Sequence, residues 1–422
     1  MNNGTSHQPK CRFCGKPLEH TFVDLGMSPL CEDFVKPGKL NEMERFYPLH
    51  VYVCSGCFLV QLEEFVSPEV IYRDYPYFSS FSDSWLNHMK RYTETIVDRF
   101  DIGKDNLVAE LASNDGYLLQ YFHEKRIPVL GIEPAGTVAA RAREKGIRTE
   151  EKFFGNAVVP NLISSYGQAD LLIGNNVLAH VPDINDFVSA MKRFLKSDGV
   201  ITMEFPHLLK LIEGNQFDTI YHEHFSYLSF TTVNRIFAHH NLVLFDVEEL
   251  STHGGSIRIY AKHREDSTKQ VSAAVAKLLT VEREAGMTKL EFYSDFNDRV
   301  TNTKWNILEF LITAKRKGKT VVGYGAPGKA ATLLNYCGIR TDFLEFTVDR
   351  NPVKHGCYMA GVHIPIYHPD KIRAVKPDYI FILPWNLKTE IMESLSYIRE
   401  WGGQFVVPIP EVAVYEPHNE LV

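Results

Sequence analysis

The sequence predicts a three-lobed α/β protein: a small cysteine-rich lobe at the N-terminus, then two blocks in which strands alternate with helices. Three observations carry that prediction. The stretch Asn106 to Leu119, NLVAELASNDGYLL, and the stretch from Lys319 through KTVVGYGAPGKAATLLNYC each read as apolar strand, glycine-containing turn and helix. Two CxxC pairs, Cys11/Cys14 and Cys54/Cys57, lie close to the N-terminus. Between the two blocks, apolar residues recur at helical spacing: Val271, Val275, Leu278 and Leu279 over about 270–287, then Ile307, Phe310, Leu311 and Ala314 over about 290–317. The resulting division is a lobe over 1–70, a domain over 71–265 and a helical linker plus C-terminal domain over 266–422, within the two or three domains that 422 residues hold.

Composition excludes several classes. With 45% hydrophobic and 23% charged residues the chain is ordinary globular protein, neither disordered nor a coiled coil. A net charge of −7 argues against a chain built to bind nucleic acid, which wants a basic face. No apolar run approaches the ~18 residues that span a bilayer, and the opening MNNGTSHQPK has no apolar core of a secretory signal. The expectation is a cytoplasmic protein, a monomer or weak oligomer, with no nucleic-acid or membrane partner.

The N-terminal lobe reads as loops and short strands around its cysteines. Seven cysteines, an odd number in a large chain of this kind, speak against a disulfide framework. Two CxxC knuckles suit zinc, because each short loop delivers two thiolates to half of a tetrahedron. Four protein ligands leave no open position, so the metal is expected to be structural. Cys31 is expected to pack as a small hydrophobe.

In the middle block a helical pattern, SWLNHMKRYTETIVDRF, leads into the first strand, which carries Glu110 near its end. The turn Ala112-Ser113-Asn114-Asp115-Gly116 follows, and a helix opens at about Tyr117. Glu133 ends the next apolar strand, where a carboxylate is placed to accept ribose hydroxyls. A third strand, Ala169 to Ile173, delivers Asn175, Asn176 and His180 to the carboxyl edge of the sheet, where ligands of open α/β folds lie. A dinucleotide would want a full GxGxxG beneath its pyrophosphate. This turn instead has Ala112 at the first glycine position and bears a carboxylate, which tolerates a cationic ligand such as S-adenosylmethionine. The E-x-x-x-N-D-G turn is similar to that of class I methyltransferases.

Further along, Tyr221-His222-Glu223-His224 gathers titratable side chains at a spacing that is not the HExxH of zinc proteases. It reads as an acid/base set or as a histidine pair on one strand face. His253-Gly254-Gly255-Ser256-Ile257-Arg258 is either a tight turn between strands or a place where backbone approaches a ligand and Arg258 offers an anion a fork. Tyr75-Pro76-Tyr77-Phe78-Ser79-Ser80 is an aromatic-polar loop able to cap a pocket or merely to connect. The C-terminal turn Gly323-Tyr324-Gly325-Ala326-Pro327-Gly328-Lys329 forms a diphosphate cradle at a helix N-terminus. Asp349, at the end of FLEFTVD, is placed for a ribose hydroxyl, and Asn386 follows the strand YIFILP. That turn alone would suggest NAD and an oxidoreductase.

The ordered set CxxC…CxxC, Y-P-Y-x-S-S, E-x-x-x-N-D-G, Y-x-E-H, H-G-G and G-Y-G-A resembles the zinc-containing sugar C-methyltransferases over about 10–415. The resemblance implies a class I methyltransferase Rossmann-like domain flanked by an N-terminal zinc-binding lobe and a C-terminal Rossmann-like domain. It implies transfer of a methyl group from S-adenosylmethionine to C-3 of a nucleotide-diphosphate-linked 4-keto-6-deoxy sugar. Carried over motif by motif, Cys11, Cys14, Cys54 and Cys57 hold zinc, while Glu110, Asn114, Gly116, Glu133 and Asn175 fall in the cofactor motifs. His224 matches the general base, with Tyr221 and Glu223 beside it, and His180 and Tyr77 match positions near the sugar. His222, where related sequences often have Asp, is given no role. Gly325, Lys329, Asp349, Asn386 and Arg258 are expected to meet the nucleotide part of the substrate. An O- or N-methyltransferase acting on a sugar or other small metabolite would use the same residue types.

Overall fold

The computed structural model describes residues 8–72 and 78–415. They form two compact units. The first comprises the described parts of Met1–His20, Val53–Leu208 and Glu223–Phe292; the second comprises Thr21–Tyr52, Leu209–His222 and the described part of Tyr293–Val422.

The first unit is built on a seven-stranded sheet. Its order is Leu242–Leu250, Ser256–His263, Leu195–Pro206, Ala169–Asn175, Val108–Leu111, Val129–Ile132 and Thr149–Glu150. The five strands from Leu195–Pro206 onward are parallel, and the first two pair antiparallel. Strand order reverses between Val108–Leu111 and Ala169–Asn175, so a crevice opens at their carboxyl ends. The helix Asp83–Phe100 covers one face, its N-terminus capped by Ser82, whose side chain accepts from Trp85 N at 3.3 Å. It buries Met89, Tyr92, Thr93 and Ile96, one stripe at helical spacing. Both knuckles belong to this unit, as does the antiparallel pairing of Val60 with Tyr227 and Gln61 with Ser226.

The helix Ala273–Ala285 buries Val275 and Leu278 as the pattern predicts, but starts after Val271, which is 54% exposed. Its most consequential buried residue is polar. Glu282 Oε1 accepts from Phe230 N at 2.7 Å and hydrogen-bonds His207 Nε2 at 2.6 Å, and its Oε2 accepts from Thr231 N at 2.7 Å. The carboxylate therefore satisfies two orphan amides at the N-terminus of the helix Phe230–His239.

The second unit carries a six-stranded sheet in the order Ile366–Tyr367, Thr347–Val348, Val321–Tyr324, Tyr379–Ile382, Gln404–Val407 and Ala413–Tyr415. All neighbours are parallel except the last pair. The order again reverses beside the first strand. The four central strands are those the apolar runs predict; the two edge strands, short and partly exposed, carry no such run. The helix Phe296–Arg316 buries Ile307, Leu311 and Ala314. Phe22 stacks on Phe296 at 4.4 Å between ring centroids, which joins the strand His20–Ser28 to this unit. No described helix is long and apolar enough to cross a membrane.

Glu282→Ala leaves two buried amides and His207 without their acceptor. Its expected cost is on the order of 3 kcal/mol, seen as a lower urea midpoint, with Glu282→Gln losing less because one acceptor remains.

Candidate active site

The four knuckle sulfurs lie within 4.8 Å of one another and are the one potential metal-ligand group of this kind among the described residues. The backbone shapes each loop. Gly15 N donates to Cys11 O at 2.9 Å and Phe58 N to Cys54 O at 2.9 Å. Gly15 and Phe58 close the two turns at φ +74 and +63, so the second knuckle places a phenylalanine where the first places a glycine. Gly56 N and Gln61 Nε2 donate to Cys54 Sγ and Cys11 Sγ at 3.4 and 3.2 Å. Such donors suit thiolates bound to a cation. A tetrahedral zinc with sulfur at about 2.3 Å fits this set.

At the sheet's reversal, the turn after Val108–Leu111 holds three successive left-handed residues of alternating position. Ala112, Asn114 and Gly116 have φ of +54, +48 and +74. Ala112 thus adopts the conformation of the glycine it replaces. Asn114 N donates to Glu133 Oε2 at 2.9 Å and Ala135 N to Glu133 Oε1 at 2.8 Å, which fixes the carboxylate at the tip of its strand. Burial pushes Glu133 up to about 7 against the pull of these two amides. Glu110 is fully buried, and its burial holds it well above the usual carboxylate range although the Tyr117 hydroxyl opposes the shift. Asp115 is buried too, taking Lys145 Nζ at 3.1 Å and the Ser80 hydroxyl on Oδ2, while its Oδ1 has no hydrogen-bond partner among the described residues. Asn175 is buried beside Tyr117 and donates to Met89 Sδ at 3.4 Å.

Sequence reasoning missed part of this wall. Ser79 N donates to Asn114 Oδ1 at 2.9 Å, so the segment after the aromatic-polar loop lies on the turn; Tyr77 itself is outside the described residues. Trp85 faces Tyr117 and His253 with ring centroids at 6.1 and 5.2 Å, and Asn176 Nδ2 donates to His253 Nε2 at 3.1 Å. The signal available for Trp85 was its place on the first turn of a helix, which does not reveal what it faces.

The structure corrects the reading of Arg258 as an anion fork. Its guanidinium donates to Glu204 Oε2 at 2.5 Å and Glu248 Oε2 at 3.2 Å and lies over the Tyr92 ring, with its side chain 6% exposed. Two carboxylates already neutralise it inside the sheet.

His180 ends a single 3-10 turn, Leu178–His180. Its Nδ1 hydrogen-bonds the Tyr72 hydroxyl at 2.7 Å, and the His224 ring meets it edge-to-face at 4.6 Å. Desolvation, then the neighbouring His224, holds His180 well below the usual histidine range, although the Glu223 carbonyl accepts a hydrogen bond from it. Glu223 is buried. The division between units falls between His222 and Glu223, leaving Tyr221 in the second. There His222 is buried with Nε2 at 3.2 Å from Pro48 O.

In the second unit, Gly325 has φ +90, and a side chain there would meet Pro384 Cδ at 2.5 Å. Ala326 N donates to Asp349 Oδ2 at 2.7 Å, repeating the link between Asn114 and Glu133. Lys329, pushed down by burial, donates to Asn386 Oδ1 at 2.7 Å and lies 4.6 Å over the Trp385 ring. Cys31 packs against the N-terminus of the helix Gly328–Cys337, its Sγ 3.1 Å from where a Gly328 side chain would begin.

A crevice that gathers three buried carboxyl groups, Glu110, Asp115 and Glu133, is no cradle for pyrophosphate and suits a ligand that bears a ribose. The chain is an S-adenosylmethionine-dependent methyltransferase: residues 85–247 match a family profile described as a methyltransferase domain. Residues 11–72 match a profile for a zinc binding domain, and residues 251–410 match one described as a C-methyltransferase C-terminal domain. C-methyltransferase NovU of Streptomyces niveus is 34% identical over 412 residues, covering 98% of each chain. The protein therefore belongs to this family of zinc-containing C-methyltransferases. Solved structures also align with it. One is an S-adenosylmethionine-dependent methyltransferase from Clostridium acetobutylicum, 13% identical over 42% of this chain and 92% of its own, with a TM-score of 0.35. Another is magnesium protoporphyrin IX methyltransferase from Synechocystis, 15% identical over 46% of this chain and 88% of its own, at 0.32.

Proposed function

We propose that this C-methyltransferase acts at C-3 of a nucleotide-diphosphate-linked 4-keto-6-deoxy sugar, through an enolate formed by His224. The observation that carries this reading is the His180–His224 pair, in which burial keeps one imidazole neutral beside another. Carbon is a poor nucleophile until a neighbouring ketone makes its C–H acidic. A base must take that proton while charge gathers on the carbonyl oxygen. An imidazole of ordinary pKa, about 6.5, takes a proton at neutral pH, and such help is worth about 10²–10⁴ in rate. Held neutral, His180 does not compete for the proton. We assign the donor on the enolate oxygen to Tyr221 or His180, the latter by giving up its bond to the Glu223 carbonyl; one such donor contributes about 3 kcal/mol. Glu223 orients His224 or binds a sugar substituent.

Glu110, Asn114, Gly116, Glu133 and Asn175 would hold S-adenosylmethionine, which supplies an electrophilic methyl when bound. The C-3 proton would go to His224, which would return it to water, and the carbon so freed would be the acceptor of the methyl, the sulfur keeping the bonding pair. Gly325 and Lys329, at the N-terminus of a ten-residue helix, and Asn386, which accepts from Lys329, would meet the diphosphate, with Asp349 near a nucleoside hydroxyl.

Two outcomes test the assignment. In D2O with S-adenosylhomocysteine bound, the wild type is expected to wash deuterium into C-3 of the sugar. His224→Ala is expected to lose that exchange together with methyl transfer, by about 10²-fold or more. Exchange at the wild-type rate in this variant removes His224 from the base role. The second concerns Glu133, which accepts ribose hydroxyls best when ionised. Its folded-state value lies near 7, above the ordinary carboxylate range, so the ionised form is lost as pH falls through about 7. S-adenosylhomocysteine affinity is expected to weaken below that pH, and Glu133→Gln to bind weakly with a flat profile, by calorimetric titration.

A further inference from the structure

We infer that Arg12, inside the first knuckle, is a positioning residue for the His180–His224 pair, so that zinc occupancy is coupled to the geometry of proton transfer. The inference rests on the roles proposed above for those two histidines. Its basis is a closed circuit of hydrogen bonds within the first unit. Arg12 Nη1 donates to Pro182 O at 2.8 Å, and Nη2 donates to Leu62 O. Leu62 N donates to Phe225 O at 3.0 Å, and Phe225 N donates to Ala179 O at 2.8 Å. The chain from Ala179 to Pro182 closes the loop. Both histidines are attached to it: His180 lies between Ala179 and Pro182, and His224 immediately precedes Phe225. The guanidinium also sits 5.4 Å from the Phe225 ring centroid.

Arg12 is in turn fixed by the metal loop. It lies between the ligands Cys11 and Cys14, and its amide donates to Gln61 Oε1 at 2.9 Å while Gln61 Nε2 donates to Cys11 Sγ. Asn185 Nδ2 donates to Arg12 O and Phe13 O at 3.2 and 3.0 Å, which anchors the knuckle to the helix that follows His180. The second knuckle has its own link, Thr232 Oγ1 donating to Cys57 O at 3.1 Å beyond the His224 segment. A planar guanidinium reaches two carbonyls at once, whereas an ammonium on a flexible stem reaches one. The side chain therefore converts the position of the zinc loop into the spacing of two backbone segments that carry the imidazoles.

The test uses zinc-loaded enzyme with Arg12→Gln and Arg12→Lys. Zinc content, S-adenosylhomocysteine affinity, acceptor KM and kcat are measured, together with the imidazole carbon–proton NMR signals of His180 and His224. Arg12→Gln is expected to keep its zinc and its cofactor affinity, shift both imidazole signals, and lower kcat about 10²-fold, the scale of a misplacement of about 1 Å. Arg12→Lys is expected to recover part of kcat. Unmoved signals with wild-type kcat overturn the inference, as does a loss of kcat that follows loss of zinc chain for chain. Should the variants not fold, zinc is chelated from wild-type enzyme with S-adenosylhomocysteine bound: the two signals are expected to move, and unmoved signals overturn the proposal. If His224→Ala retains proton exchange, the base assignment fails, while the NMR shifts still decide whether Arg12 positions the rings.

Discussion

Four cysteine sulfurs within 4.8 Å of one another make an arrangement that repels itself as thiolates and becomes stable around a cation. Much of the first unit hangs from that point. Residues 21–52, between the knuckles, belong to the second unit, so within the first unit a metal is what would tie the two loops to each other. From the four sulfurs, contacts run outward through Gln61 to Arg12, through the Val60–Gln61 pairing to Ser226–Tyr227, and through Cys57 to Thr232. The structural metal thus borders the segment that carries His224.

The two β/α units solve one local problem in the same way. Each has a turn whose backbone amide would be left unpaired, and each pairs it with the carboxylate that ends the second strand. Asn114 N is held by Glu133, and Ala326 N by Asp349. What surrounds the turns then separates them. The first crevice collects the carboxyl groups of Glu110, Asp115 and Glu133. The second places Lys329 beside its turn, kept from its usual basicity by burial and drawn toward Asn386. One topology thus carries two differently lined turns.

Much of this was legible in the sequence because it is local. Helical spacing placed the helix Asp83–Phe100 within a residue of its observed start, and apolar runs marked the central strands of the second sheet. The CxxC pairs, the Asn114 turn and Glu133 were visible because their chemistry sits in a few consecutive residues. What escaped depends on partners far away in the chain. Arg258 looked like a free fork because nothing near it in sequence reveals Glu204 on the neighbouring strand. Glu282 looked like one more polar residue on an amphipathic helix, yet it caps another helix and holds His207. The left-handed backbone at Ala112 was hidden by its residue type, since the expected signal for that conformation is glycine.

The proposed chemistry delivers the methyl group to carbon beside a ketone. Its most direct test supplies S-adenosylmethionine labelled with 13C at the methyl group, together with nucleotide-diphosphate-linked 4-keto-6-deoxy sugars, and traces the label by heteronuclear NMR of the product. The expected product has a methyl carbon bonded to C-3, with carbon–carbon coupling where the sugar is also labelled. A methyl bonded to oxygen or nitrogen, or no turnover with any 4-keto sugar, would contradict it.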